Sequence, residues 1–184
     1  HIGEAPPPID DVLDLLDDGD VVTHCFHGKP GYPWNPDGTA APALARALKR
    51  GVLLDVGHGA ASFDFDVAGR AIVAGIFPHT ISTDLHARNV DGPVYSLASV
   101  MTKMLALGMP LPEIVRAVTV TPRSILGVDR SWLGGDGAVR HATLFHVTDA
   151  RDGAAYCDAA GQTIAPRQRI EPVAIVVDGR RFEV

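Results

Sequence analysis

Imidazoles and carboxylates fall at several points along this chain where regular structure should stop. His24 stands late in the apolar run Val21-Val22-Thr23-His24-Cys25-Phe26, His58 follows Val52–Val56 between two glycines, and Asp84 closes the run His79–Thr83. Imidazole and carboxylate together are the ligand set for zinc and related divalent ions, which in hydrolases acidify a bound water until hydroxide is available near neutral pH. A carboxylate at Asp84 would be costly unless a cation or donor met it. Each residue also has a plainer reading. His24 can be a core histidine bonded to a carbonyl, Asp84 can cap its loop through backbone amides, and His58 can be a simple turn residue whose glycine neighbours permit, without demanding, close approach of a ligand. His27, Lys29, His86 and Asn89 lie in loops just past strand ends, where solvated side chains are the default. His79, His141 and His146 take surface or strand positions with no role assigned, and Trp34 and Trp132 read as loop covers or packing anchors. Spacing alone supports a metal site weakly.

The elements that must position these groups follow from periodicity and punctuation. Ile9–Asp18 reads as a short amphipathic helix with Asp10 and Asp11 at its positive end and Gly19 at its exit. Val21–Phe26 reads as a buried strand, Ala40–Arg50 as a helix closed by Gly51, and Val52–Val56 as the next strand. Helix Asp64–Ala74, strand His79–Thr83 and helices Ser96–Leu107 and Leu111–Val118 follow. Strands alternating with helices through short turns imply βαβ units and a parallel sheet, in which reactive side chains sit at the C-terminal strand ends. Beyond Gly127 the pattern changes to short β runs at Ala142–Val147, Ala154–Cys157 and Pro172–Val177, with Asp178-Gly179 as a hairpin turn before Arg181–Val184.

Composition narrows the classes. The chain has 184 residues, 46% of them hydrophobic and 21% charged, as in an ordinary globular protein of one domain or one plus a satellite. No apolar run reaches the roughly 18 to 20 residues that span a bilayer. A net charge of −6 argues against unaided nucleic-acid binding. Cys25 and Cys157 form neither a disulfide framework nor a CxxC motif, which favours a reducing, cytoplasmic setting. Neither GxxxxGK[ST] nor GxGxxG follows a strand, so a phosphate-binding α/β module is disfavoured.

Several strings, in order, extend this reading. They are His1-Ile2-Gly3-Glu4-Ala5-Pro6-Pro7, Thr23-His24-Cys25-Phe26-His27-Gly28-Lys29, Asp55-Val56-Gly57-His58-Gly59 and Ile81-Ser82-Thr83-Asp84-Leu85. Gly92–Leu97, Met101-Thr102-Lys103, Leu107–Leu111 and Val118–Gly127 continue them. Together they resemble the deacetylase branch of the amidohydrolase superfamily, whose members are often called dihydroorotase-like metallohydrolases. The resemblance covers residues 1 to 127, and the β-rich tail is similar to the small sandwich that the family builds beside its barrel.

That resemblance implies a (β/α)8 barrel with one or two divalent metals, zinc being the commonest choice, at its C-terminal mouth. It matches His1 to the fifth-strand histidine ligand, His24 to the sixth-strand ligand and Asp84 to the eighth-strand aspartate. Asp84 is then also the catalytic base, and a metal-activated hydroxide attacks an amide or ester carbonyl of an N-acyl or O-acyl substrate. His27, Lys29, His58, His86 and Asn89 become candidate contacts to a small-molecule substrate. Two family features are missing: no HxH pair occurs, and no lysine precedes His1. A full barrel takes about 250 residues, and half a barrel leaves strand edges unpaired. The expectation is therefore a chain that forms the C-terminal part of a longer polypeptide. Residues 1–130 then supply strands five to eight, and 131–184 supply an antiparallel segment of a small sandwich. The N-terminal half comes from the same or another chain, and a homo-oligomer is possible. A cyclic-amide hydrolase and a non-catalytic binding subunit are the alternatives.

Overall fold

The computed structural model describes residues 1–128 and 141–184. Trp132 and the boundary expected between 130 and 131 lie outside the described residues. Helix α1 (Ile9–Asp14) is followed by strand β1 (Val21–Val22), helix α2 (Pro42–Arg50), strand β2 (Leu53–Leu54) and helix α3 (Phe65–Val73). Helices α4 (Leu97–Ala106), α5 (Leu111–Val118) and α6 (Val120–Ile125) complete the first part. β1 and β2 pair in parallel with Val21 opposite Leu53, and a parallel bridge joins Asp55 to Thr80. The parallel α/β reading therefore holds, with strand segments shorter than the apolar runs suggested.

The reason for the shortening is local. Strand β1 was expected to reach Phe26, but His24 adopts φ +67 and His27 N–H bonds the His24 carbonyl, so the chain turns instead. The run His79–Thr83 forms only the single bridge at Thr80, although Val56, His58 and Gly59 each donate a backbone N–H to Thr80, Ser82 and Thr83 in turn. The helices keep close to expectation. Pro42 opens α2 and Gly51 closes it at φ +98, while Asp64 and Ser96 cap α3 and α4 by accepting from Val67 and Ser99 N–H. Helix α1 stops at Asp14, four residues earlier than its apolar pattern suggested.

The C-terminal part is a three-stranded antiparallel sheet in the order β3 (His141–Asp149), β6 (Gln168–Val177), β7 (Arg180–Glu183). Between β3 and β6 lies a two-residue pair, β4 (Tyr156–Cys157) with β5 (Thr163–Ile164). Asp178 and Gly179, at φ +50 and +75, make the expected hairpin turn. Pro172 in β6 cannot donate to the ladder, and the register slips beside it, Leu144 facing Ala174 and Phe145 facing Pro172. This sheet shares the main core. Ile170 is buried with Val100, Met104 and the strand residues, and its N–H donates to Thr102 Oγ1 on α4 at 3.0 Å.

Candidate active site

The end of β1 and the residues after β2 converge on one point. Ile2 N–H bonds the Thr23 carbonyl, which lays the N-terminal segment beside β1. His1 Nδ1 then faces His24 Nε2 at 3.0 Å, with the rings edge to face. His24 Nδ1 lies 2.6 Å from the Gly57 carbonyl oxygen, which can only accept, so Nδ1 carries the proton and Nε2 keeps its lone pair toward His1. Two imidazole nitrogens bound to one tetrahedral zinc stand about 3.3 Å apart. The observed pair is close to that spacing, and its second-nitrogen carbonyl bond is the arrangement that orients a metal-binding histidine. The imidazole pair fits part of a divalent ion's donor set.

Asp84 does not join the pair. Its side chain is exposed, and its Oδ2 lies where a Cβ on Gly59 would come within 2.8 Å. Among the described residues, no group of three or more His, Cys, Asp or Glu closes on a point that could hold a metal. Asp84 nevertheless shares one unusual trait with His24: both are non-glycine residues in the left-handed region, at φ +49 and +67. Such conformations cost about 1 to 3 kcal/mol each and cluster at functional sites.

Two of the remaining predicted contacts, His58 and Asn89, are held by the protein itself. His58 is fully buried, stacked on Phe63 with centroids 4.6 Å apart. Its Nδ1 donates to the Gly59 carbonyl at 2.9 Å, and its Nε2 accepts from Lys103 Nζ at 2.7 Å. Burial first, then the Lys103 charge, lower its pKa to about 4. The sequence placed it at the mouth as a substrate contact, whereas both of its nitrogens are engaged inside. Asn89 is also fully buried, donating from Nδ2 to the Asp84 carbonyl at 2.9 Å and accepting His86 N–H at 2.8 Å, so it shapes the loop that carries Asp84. The exposed His86 accepts Arg88 N–H at Nδ1. His27 is buried and accepts Lys29 N–H at Nδ1, while its Nε2 has no partner; burial, then Lys29 and His24, lower its pKa. Lys29 lines an open cleft of about 330 Å³ with Glu4, Phe63 and Asp64. Trp34 covers the loop as expected, donating to the Cys25 carbonyl and packing on Phe26.

Two further residues of these motifs, Asp55 and Lys103, anchor the surroundings of the site. Asp55 is a buried carboxylate that accepts hydroxyl bonds from Thr23, Thr80 and Ser82, all at 2.6 Å, and so ties three neighbouring segments together. Lys103 is a fully buried amine whose signal was visible: it lies three residues after Val100 and one before Met104, on the stripe of α4 that faces the core.

Polar side chains gathered at the ends of adjacent parallel strand segments, with helices packed beside them, define the class as a mixed α/β fold. Over its whole length the chain superposes on a crystal structure of a dihydroorotase with a TM-score of 0.86 at 36% identity, covering 48% of that chain. It also superposes on an adenine deaminase, with a TM-score of 0.88 at 33% identity, covering 50% of that chain. In sequence it is 43% identical over 150 residues, 82% of this chain, to a deacetylase of Agrobacterium fabrum, of which it covers 37%. Against a deacetylase of Enterococcus faecalis it is 35% identical over 185 residues, covering 50% of that protein. No family model matches the chain. The chain belongs to the amidohydrolase superfamily, on its deacetylase side. It spans half or less of the length of these curated relatives.

Proposed function

We propose that the protein carrying this chain is a metal-dependent hydrolase of amide or ester bonds, of the N-acyl or O-acyl deacetylase type. The observation that carries this reading is the facing pair of His1 Nδ1 and His24 Nε2, with His24 oriented by the Gly57 carbonyl. In this reading the segment at His1, β1, β2 and the run 80–83 are strands five to eight of an eight-stranded barrel. The preceding half, on the same or another chain, supplies the other ligands, and the sheet of β3, β6 and β7 belongs to a small satellite sandwich. The protein works in the cytoplasm, where Cys25 and Cys157 stay free thiols.

His1 and His24, together with Asp84 from the loop beyond Gly59, would hold one or two divalent ions, zinc by donor preference, which would supply Lewis acidity and a nucleophile near neutral pH. Asp84 takes a proton from the attacking water and passes it to the leaving nitrogen or oxygen as the acyl bond breaks. Lys29, in the cleft lined also by Glu4, grips an anionic group of the substrate, and His27 and His86 are further candidate contacts. The structural likeness to a dihydroorotase favours a second reading, hydrolysis of a cyclic amide.

One assay separates these outcomes. The intact protein is analysed for zinc, then offered N-acetyl amino acids and dihydroorotate, alongside Asp84→Asn. Turnover of an N-acetyl amino acid, lowered about 10²- to 10⁴-fold by the substitution, is expected. Preference for dihydroorotate selects the cyclic-amide reading, and an active Asp84→Asn protein removes Asp84 as the base. A protein with neither zinc nor turnover is a binding subunit.

A further inference from the structure

The loop Gly57-His58-Gly59 is wedged between the two halves of the candidate centre. On one side, a Cβ at Gly57 would collide with Thr23 Oγ1 and come within 2.8 Å of His24 Nδ1; on the other, a Cβ at Gly59 would come within 2.8 Å of Asp84 Oδ2. Both glycines are left-handed, at φ +48 and +56, and both are buried. The loop's one side chain points away from the centre into the core, where Phe63 stacks on it and Lys103 donates to it.

Lys103 is in turn fully committed. Its Nζ reaches His58 Nε2 at 2.7 Å, the Pro93 carbonyl at 2.6 Å and the Cys157 carbonyl at 2.7 Å, which accounts for the three protons of an ammonium. Cys157 lies in β4, and the adjoining turn is locked to the barrel side by Asp158, whose carboxylate accepts Phe65, Ala160 and Gln162 N–H. An unbroken series of bonds thus runs from β4 through Lys103 to His58 and on to Gly59. The peptide unit that separates His58 from Gly57 then presents the carbonyl that holds His24.

We propose that Lys103 and His58 are positioning residues, which set the Gly57 carbonyl and the Gly59 backbone and so fix the orientation of His24 and its spacing to Asp84. This replaces a direct substrate contact for His58, and it ties the C-terminal β segment to the geometry of the centre. The metal-site part rests on the function proposed above; the orientation of His24 does not.

The test uses the intact protein with two substitutions that each keep one of the two ring bonds. His58→Asn retains a donor for the Gly59 carbonyl and drops the acceptor for Lys103; His58→Gln retains an acceptor for Lys103 and drops the Gly59 bond. Ring ¹⁵N shifts of His24 report its tautomer with or without metal, and zinc affinity is measured by competition with a chromophoric chelator. Wild-type His24 is expected as the Nδ1–H tautomer, and both variants as mixtures of tautomers. Zinc affinity is expected to fall about ten- to hundredfold, the usual effect of losing a partner that orients a ligand, with kcat falling and KM little changed. Lys103→Met should do the same; should it fail to fold, the His58 pair still decides. Folded His58 variants with an unchanged His24 tautomer and unchanged zinc affinity overturn the proposal. A wild-type protein that binds no zinc overturns the proposed function alone, and the tautomer measurement still judges the positioning role.

Discussion

His58 is where burial, charge and hydrogen bonding meet on one ring, and its titration has a readable sign. Its folded pKa, about 4, lies below the ordinary histidine value of 6.5, so the unfolded chain binds the extra proton first as pH falls. The stability contributed by keeping the ring neutral is therefore complete above pH 6.5 and is lost progressively between 6.5 and 4. At 1.36 kcal/mol per unit this comes to about 3 kcal/mol. The groups acting on the ring are Lys103, which opposes protonation, and the Gly59 carbonyl and Asp158, which favour it. Urea unfolding of wild type and His58→Gln across this range should give a steeper decline for wild type, and parallel curves would show that the ring does not titrate in this way. Lys103, lowered to about 8 chiefly by burial, stays protonated through the acidic range and so does not blur the comparison.

Turns carry more of the site than strands do. Gly57→Ala is expected to be far more harmful than Gly75→Ala, although both glycines have positive φ, at +48 and +82. At Gly75 an added methyl meets nothing within 4 Å, so the cost is conformational, about 1 to 2 kcal/mol. At Gly57 the same methyl also strikes Thr23 Oγ1 and His24 Nδ1, so thermal unfolding should show a loss at least about 1 kcal/mol larger, accompanied by disturbed His24 ring signals. Equal losses at the two positions would mean that the loop yields easily and does not hold the imidazole. The same contrast explains what could be read from the sequence. Gly51 after α2, the helix starts at Asp64 and Ser96, and the Asp178-Gly179 hairpin were all legible, because each obeys a rule confined to a few neighbouring residues. The imidazole pair was legible only by resemblance, since His1 and His24 are joined by long-range pairing. The hydroxyl cradle of Asp55 was hidden for that reason too: Thr23, Thr80 and Ser82 each look like ordinary strand residues until three segments lie side by side. The turn at His24 was missed because φ +67 in a histidine runs against both the apolar pattern and the local propensity.

Beside the run 80–83 lies an apolar groove of about 520 Å³, lined by Val21, Ile81, Leu97, Val118, Ile125 and Leu126. Leu126 is 74% exposed, and Val120 close by is 49% exposed. Large apolar side chains on one face at an open strand edge are a surface suited to burial under a further packed layer. The superposed dihydroorotase and adenine deaminase are about twice as long as this chain, which is room for that layer. If the preceding half of the barrel is the occupant, Leu126→Lys should have opposite effects in two settings. In a polypeptide limited to residues 1–184 it should lower binding of an apolar dye and reduce self-association, because it breaks an exposed patch. In the intact protein it should destabilise by about 2 to 3 kcal/mol, because it places an ammonium where a leucine was covered. Dye binding, sedimentation and denaturant unfolding read the two cases. A substitution that is neutral in the intact protein would mean that the groove faces solvent there, and the half-barrel reading would fall with it.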